Sequence, residues 1–252
     1  MSPKSEHTHS CHERWLDNKQ QGSPICDQYN VQVLPDRTFV CVADGCNWGE
    51  RPRDAARIAA MSFVRHELQN APTAAGTRES GRMLLRAMQA AHNGIVKSKS
   101  DIWEAGTTTL IGGFVARLVP PGAGDAEYGV FLLSIGDCKC FLWDVHTGKV
   151  RDVTSGNRGN LLDPTDPGGR LGPYVRGCDP DTRNLALFYE RCHQDDILIF
   201  CSDGVHDNLD PSSIGVDPEE LTPVFSGKSW EEACKMDQDL AALIKQKFSA
   251  DR

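Results

Sequence analysis

Apolar positions along this 252-residue chain change their period several times, and each change predicts an element. Residues 1 to about 25 are polar, after which "TFVCVAD" (38–44) is rich in aromatic and β-branched residues, the pattern of a buried strand. Helical spacing follows. In "RPRDAARIAAMSFVRHEL" Pro52 stands near a helix start and Ala56, Ala60, Phe63, Val64 and Leu68 form one stripe. A second helix is predicted over about 79–98, with Leu84, Ala87, Met88, Ala91 and Ile95 on one face and "QNAPTAAG" breaking the pattern before it. From 106 the period becomes that of strands: "GTTTLIGGFVARLV", "YGVFLLSIG" and "CKCFLWD", divided by "PPGAGD" and by Asp137, read as an antiparallel meander. Glycine and proline dominate 155–180, a long irregular connection of the kind that covers functional sites. "NLALFYERC" and "DILIFCS" resume strand character around a "HQDD" turn. "SWEEACKMDQDLAALIKQKF" predicts a last helix, with a capping box in Ser229 and Glu232 and with Ala233, Met236, Leu240, Leu243, Ile244 and Phe248 on one face.

The expected organisation is a flexible polar tail over 1–21 and one domain over 22–252. A net charge of −8 without basic clusters excludes a nucleic-acid face, and no apolar run approaches the roughly 20 residues that span a bilayer. "MSPKSEHTHSCHERW" has no apolar stretch after its lysine, so an intracellular, cytoplasmic or nuclear protein is expected, and a monomer. Ten scattered cysteines then read as reduced thiols; Cys41 and Cys201 sit in apolar runs, and no CxxC pair offers a structural zinc site. His7, His9, Cys11 and His12 are metal-ligand types on a tail with no fixed geometry.

Three strand ends share a chemistry. "FVCVADG" ends on Asp44-Gly45, "FLLSIGD" on Gly136-Asp137 and "ILIFCSDG" on Asp203-Gly204. One Asp-Gly after a strand is an ordinary turn. Three can place carboxylates from distant positions at one sheet rim, where hard cations such as Mg²⁺ and Mn²⁺ find the oxygen ligands they prefer. Asp207, four residues past Asp203, joins them if that turn is helical, and could equally be a helix cap.

"VCVADGCNWG", "GTTTLIGGF", "LLSIGDCKCFLW" and "DDILIFCSDGVHDNL" resemble, in order and approximate spacing, the motifs of the metal-dependent protein phosphatase 2C (PPM-type) family over about residues 22–210. The resemblance implies an α+β fold, a four-layer α-β-β-α sandwich of two antiparallel sheets flanked by helices. It implies two Mn²⁺ or Mg²⁺ ions, with a third position beside them, and a metal-bridging water that attacks phosphoserine or phosphothreonine of a phosphorylated protein. By motif, Asp44 would bridge both ions, Gly45 would offer its carbonyl and Asp203 would bind the second ion. Asp137 and Asp207 match the third position, and Asp27 matches an acid that reaches a metal through water. Gly106 and Thr107 match the family's Gly-Ser/Thr strand. No amino-acid nucleophile is then required, and the chain has neither a GxSxG elbow nor a Cys-x5-Arg loop.

The chain also departs from the pattern. Cys46 stands where many members carry a histidine, Cys26 where an acid is usual, and "QGSP" where animal enzymes place a phosphate-gripping arginine, which leaves Arg51 or Arg53 as substitutes. The chain stops at Arg252, before the strand whose aspartate would join Asp203, so one ligand and the last strand are expected to be missing. The expected function is a metal-dependent serine/threonine protein phosphatase; the alternative is a catalytically weak or inactive phosphatase-like protein acting as a binding module. His206 reads as a structural hydrogen-bonding residue and Trp48 as packing at the start of the first helix.

Overall fold

Two antiparallel sheets lie face to face, with a helix pair on one of them. The computed structural model describes residues 15–16, 19–20, 23–70, 76–97, 99–118, 128–157, 166–175 and 178–207. Its strands are β1 (Trp15–Leu16), β2 (Lys19–Gln20), β3 (Gln28–Val33), β4 (Arg37–Ala43), β5 (Leu110–Arg117), β6 (Tyr128–Ile135), β7 (Lys139–Asp144), β8 (Lys149–Asp152), β9 (Ala186–Cys192) and β10 (Ile197–Cys201). Its helices are α1 (Glu50–Asn70), α2 (Thr77–Lys97) and the single turn α3 (Asp203–His206). The larger sheet runs β3-β4-β5-β6-β9 and the smaller β10-β7-β8, while β1 and β2 pair with each other.

Alternation along each strand builds the layers. Phe39, Cys41 and Ala43 of β4 face the helices, together with Leu110 and Phe114 of β5 and Phe131, Leu133 and Ile135 of β6. α1 meets them with Ala55, Ala56, Ala59 and Ala60, whose small side chains let the helix lie close, and with Phe63 and Val64; α2 adds Met83, Leu84, Ala87, Met88, Ala91 and Ile95. Phe39, Phe114, Phe131 and Tyr189 stand directly opposite one another across four strands, with ring centroids 5.9, 4.9 and 5.0 Å apart. Each such pair contributes about 0.5–1.5 kcal/mol beyond its buried area, so the row locks register as well as packing. The opposite face, with Ile111, Val130 and Leu132, packs on Cys140 and Leu142 of β7 in the core between the sheets.

The first two predicted helices and the strand at 38–44 agree with the structure to within a few residues. The meander does not: β5 and β6 pair, but β7 leaves for the smaller sheet and pairs with β8 and β10. The three residues Gly136–Cys138 are therefore a crossing between sheets, where a hairpin turn was expected. Strands β3 and β8 were not expected at all. The helix predicted at 229–248 and the ligand types at 7–12 lie outside the described residues. Of the tail at 1–21 only the backbone of β1 and β2 is described. No helix among the described residues is long and apolar enough to cross a membrane.

One charged side chain sits in the helix-facing core. Glu67 of α1 is fully buried, neither carboxylate oxygen has a hydrogen-bond partner, and burial pushes its carboxyl well above the usual range.

Candidate active site

Strand register sets the site. Gln28 faces Ala43 across β3 and β4, so Asp27 and Asp44 are the next pair beyond the strand ends. Cys201 faces Lys139 across β10 and β7, which makes Ser202 and Cys138, then Asp203 and Asp137, the next pairs on the smaller sheet. β6 also ends at this rim, because Ile135 faces Leu110 at the start of β5. Four acids from four separate stretches of chain thus arrive at one end of the sandwich.

The backbone that presents Asp44 is held firmly. Its carbonyl accepts the Thr109 amide (2.8 Å) and the Thr108 hydroxyl (2.7 Å), and its own N–H donates to Thr109 Oγ1 (3.3 Å). Sequence reasoning picked Gly106 and Thr107 from "GTTT"; the side chains that grip Asp44 are those of the next two threonines. Thr107 contributes its carbonyl, which accepts the Cys46 amide at 2.9 Å. A Cβ on Gly45 would come within 2.5 Å of the Pro52 carbonyl oxygen, so only glycine lets the start of α1 press against this turn.

Asp137 is presented by Gly136, whose φ of 102° lies in the region open to glycine. Asn184 clamps that glycine from both sides: its Oδ1 accepts the Gly136 amide at 3.0 Å and its Nδ2 donates to the Gly136 carbonyl at 2.9 Å. Asn157 donates to the Cys138 carbonyl at 2.9 Å. Asn184→Ala leaves the Gly136 amide unmet, and its carbonyl with only the 3.4 Å bond from Asn157, and is expected to cost about 1–3 kcal/mol of stability in urea unfolding.

The acids are crowded enough to change one another's ionisation. Asp44 is pushed up to about 10, first by burial, then by the charges of Asp203 and Asp27 and a hydrogen bond between its carboxyl and that of Asp203. Burial also raises Asp27, against the Ser202 hydroxyl that bonds its charged form and with the Asp203 charge adding to the rise. Asp137 is pushed up to about 6 by burial and Asp203, with His206 opposing. Oδ1 of Asp27 and Oδ1 of Asp137 are buried without a hydrogen-bond partner. Two carboxyl groups bonded to each other need a proton between them or a cation in its place. Among the described residues no three His, Cys, Asp or Glu side chains form a ready-made metal cage.

Asp207 lies at the C-cap of α3, where its amide bonds the Asp203 carbonyl. His206 ties the two ends together: Nε2 lies 3.0 Å from the Asp137 carbonyl and Nδ1 lies 3.1 Å from Asp207 Oδ1. The structural reading of His206 holds. Trp48 is a correction, since it is 77% exposed rather than packed on α1. It lines a cleft of about 530 Å³ with Cys46, Asn47, Glu50, Arg51, Pro52 and Ala105–Thr107. Burial raises the Cys46 thiol to about 11, opposed by the nearby Arg170 charge and a Thr107 hydrogen bond. A half-buried neutral thiol is a poor nucleophile, consistent with a reaction that needs no amino-acid nucleophile. Arg53 pairs with Glu50 and, at 3.4 Å, with Asp54.

Part of the glycine-rich connection borders the rim, as its composition suggested. Leu171 exchanges backbone hydrogen bonds of 2.7 and 3.1 Å with Thr108, and the Gly172 amide donates to Nδ1 of the buried His92 at 3.2 Å. Arg170 exchanges bonds of 2.9 and 3.0 Å with Asp181.

No family model matches the chain. A PP2C-like domain-containing protein of Drosophila melanogaster, CG9801, is 30% identical over 216 residues, covering 82% of this chain; the chain spans 29% of that protein's length. Among solved structures, the serine/threonine phosphatase PstP/Ppp of Mycobacterium tuberculosis is 17% identical over 84% of both chains, with a TM-score of 0.45. The catalytic domain of PstP in complex with two manganese ions gives 17% identity, 85% and 84% coverage and a TM-score of 0.45. Likenesses of that strength carry no weight here, and the assignment rests on the four ordered motifs, their convergence at one rim and the PP2C-like relative. On that basis the chain belongs to the PPM-type, protein phosphatase 2C-like family.

Proposed function

We propose that the chain is a metal-dependent phosphatase acting on phosphoserine or phosphothreonine in proteins. The observation that carries this reading is the convergence of Asp27, Asp44, Asp137 and Asp203 at one rim by strand register, with Oδ1 of Asp27 and of Asp137 buried without a hydrogen-bond partner. Those donors fit a hard divalent cation: all are carboxylate oxygens, held on rigid strand ends, and their mutual repulsion is relieved by positive charge. Asp44 and Asp203, with the Gly45 carbonyl, would hold Mn²⁺ or Mg²⁺, and Asp27, Asp137 and Asp207 would lie around them. Bound there, a pair of such ions supplies a nucleophile from water at neutral pH and stabilises charge on both the attacking and leaving oxygens. The chain's own contribution is placement. Thr108 and Thr109 fix Asp44, Asn184 fixes the turn before Asp137, and His206 holds Asp207 against that turn.

The test is Mn²⁺-dependent release of phosphate from a phosphothreonine peptide. Asp203→Ala is expected to reduce it at least about 100-fold in a protein that remains folded. A second reading, a phosphatase-like binding module, is favoured by the neutral Cys46 thiol in the position where many members carry histidine. It keeps binding of the ion and of phosphate and lacks turnover, so a folded chain that binds Mn²⁺ but releases no phosphate decides for it.

A further inference from the structure

A phosphate approaching four clustered acids needs cationic company from the protein as well as from bound ions. The residues that sequence reasoning offered do not supply it clearly. "QGSP" occupies the upstream position, and Arg53 is engaged by Glu50 and Asp54. The bridge register points to another residue. Gly45 stands opposite Thr108 and Thr108 opposite Leu171, both antiparallel, so the neighbours of these residues form a second row: Asp44, Thr109, Arg170. The Arg170–Asp181 bridge extends that row outward. Directly opposed residues point to the same face of a sheet, so Arg170 shares the face of Asp44, two strand spacings or about 10 Å away along the row. Thr109 stands between them in the row, its hydroxyl turned to the Asp44 amide and the Cys138 thiol.

Three further features suit Arg170 to an anion. Its Nε is buried and has no hydrogen-bond partner, a rare arrangement for a charged donor and one that an incoming oxygen would satisfy. Its guanidinium carbon lies 4.4 Å from the ring centroid of Tyr174, a half-exposed ring that holds the planar group in place. Its backbone is fixed on both sides, by Asp181 and by the adjoining Leu171–Thr108 pair. His92 anchors the next residue but one, Gly172.

We propose that Arg170 grips the phosphate group of the substrate, doing from the 166–175 segment what the resemblance assigns to an arginine upstream of β3. The inference rests on the phosphatase reading for its substrate, but its test does not depend on turnover. Binding of inorganic phosphate in saturating Mn²⁺ would be measured by calorimetry on the chain and on Arg170→Ala, Arg170→Lys and Arg51→Ala, with melting curves and Mn²⁺ affinity recorded for each. Arg170→Ala is expected to weaken phosphate about 10- to 100-fold with melting temperature and Mn²⁺ affinity unchanged. Arg170→Lys, which keeps the charge and loses the planar fork, should fall between. Unchanged phosphate affinity in Arg170→Ala, a loss confined to Arg51→Ala, or no phosphate binding by the unaltered chain would each overturn the proposal. Turnover measured in parallel separates the two claims. An active enzyme whose KM ignores Arg170 sinks this assignment alone, whereas Arg170-dependent phosphate binding without turnover sinks the catalytic reading and leaves the phosphate site standing.

Discussion

Asp44→Asn is expected to abolish Mn²⁺-dependent phosphate release and, in the same protein without metal, to raise the melting temperature. Both follow from the crowding of carboxyl groups. Asp44 is held up to about 10 by burial and by Asp203 and Asp27, so between pH 4 and 10 the folded chain keeps a proton that the unfolded chain has released. The sign is then fixed: the Asp44 contribution is fully present below about pH 4 and is lost as pH rises towards 10. Each pH unit in that window removes about 1.4 kcal/mol, which gives roughly 2–4 kcal/mol at pH 7 once the neighbouring acids share the strain. Asparagine has nothing to ionise. The gain in Asp44→Asn should therefore be small at pH 4 and grow towards pH 7, as read by thermal or urea unfolding at a series of pH values. A variant that loses both activity and metal-free stability would mean that Asp44 serves the fold and not a cation.

Glu67→Leu is expected to stabilise the chain by about 2–4 kcal/mol at pH 7. Glu67 is buried between α1 and the larger sheet with neither oxygen partnered, and burial raises its carboxyl well above the usual range. Like Asp44 it binds its proton more tightly when folded, so its cost increases as pH rises above the ordinary glutamate range of about 4.3. Leucine has similar bulk and adds apolar contact with the cluster around Phe63 and Val64. Glu67→Gln separates the two parts of the effect. It removes the titration and keeps polar atoms without partners, so it should gain less than leucine and flatten the pH dependence equally. Urea unfolding at pH 5 and pH 8 reads both quantities, and a destabilised Glu67→Leu would show that the carboxyl has a partner that matters to the fold.

The rim acids were legible in the sequence because each ends an apolar run long enough to be read as a strand: Asp44 after "FVCVA", Asp137 after "FLLSIG", Asp203 after "ILIFCS". What the pattern lacked was partnership. Nothing local separates a three-residue hairpin turn from a three-residue crossing when the strands on both sides are apolar, so Gly136–Cys138 was read as part of a meander although it joins two sheets. β3 was missed because Gln28, Asn30 and Gln32 made it look polar; the signal was the alternation of Tyr29, Val31 and Val33, which face outward on an edge strand. β8 is four residues long and half charged, and only its pairing with β7 defines it. Thr108 and Thr109 read as strand formers, and their grip on the Asp44 backbone becomes visible only when β5 lies beside β4. Arg170 was hidden for the same reason, since its place in the row with Asp44 depends on a bridge between residues far apart in the chain.

A calorimetric titration of Mn²⁺ into the metal-free chain, beside Asp44→Asn, addresses the convergence of these acids most directly. Saturable uptake of more than one ion by the chain, reduced to a weak remnant in the variant, is the predicted result. Superimposable isotherms for the two proteins would contradict it, because a carboxylate cage built around Asp44 cannot lose that carboxylate and bind unchanged.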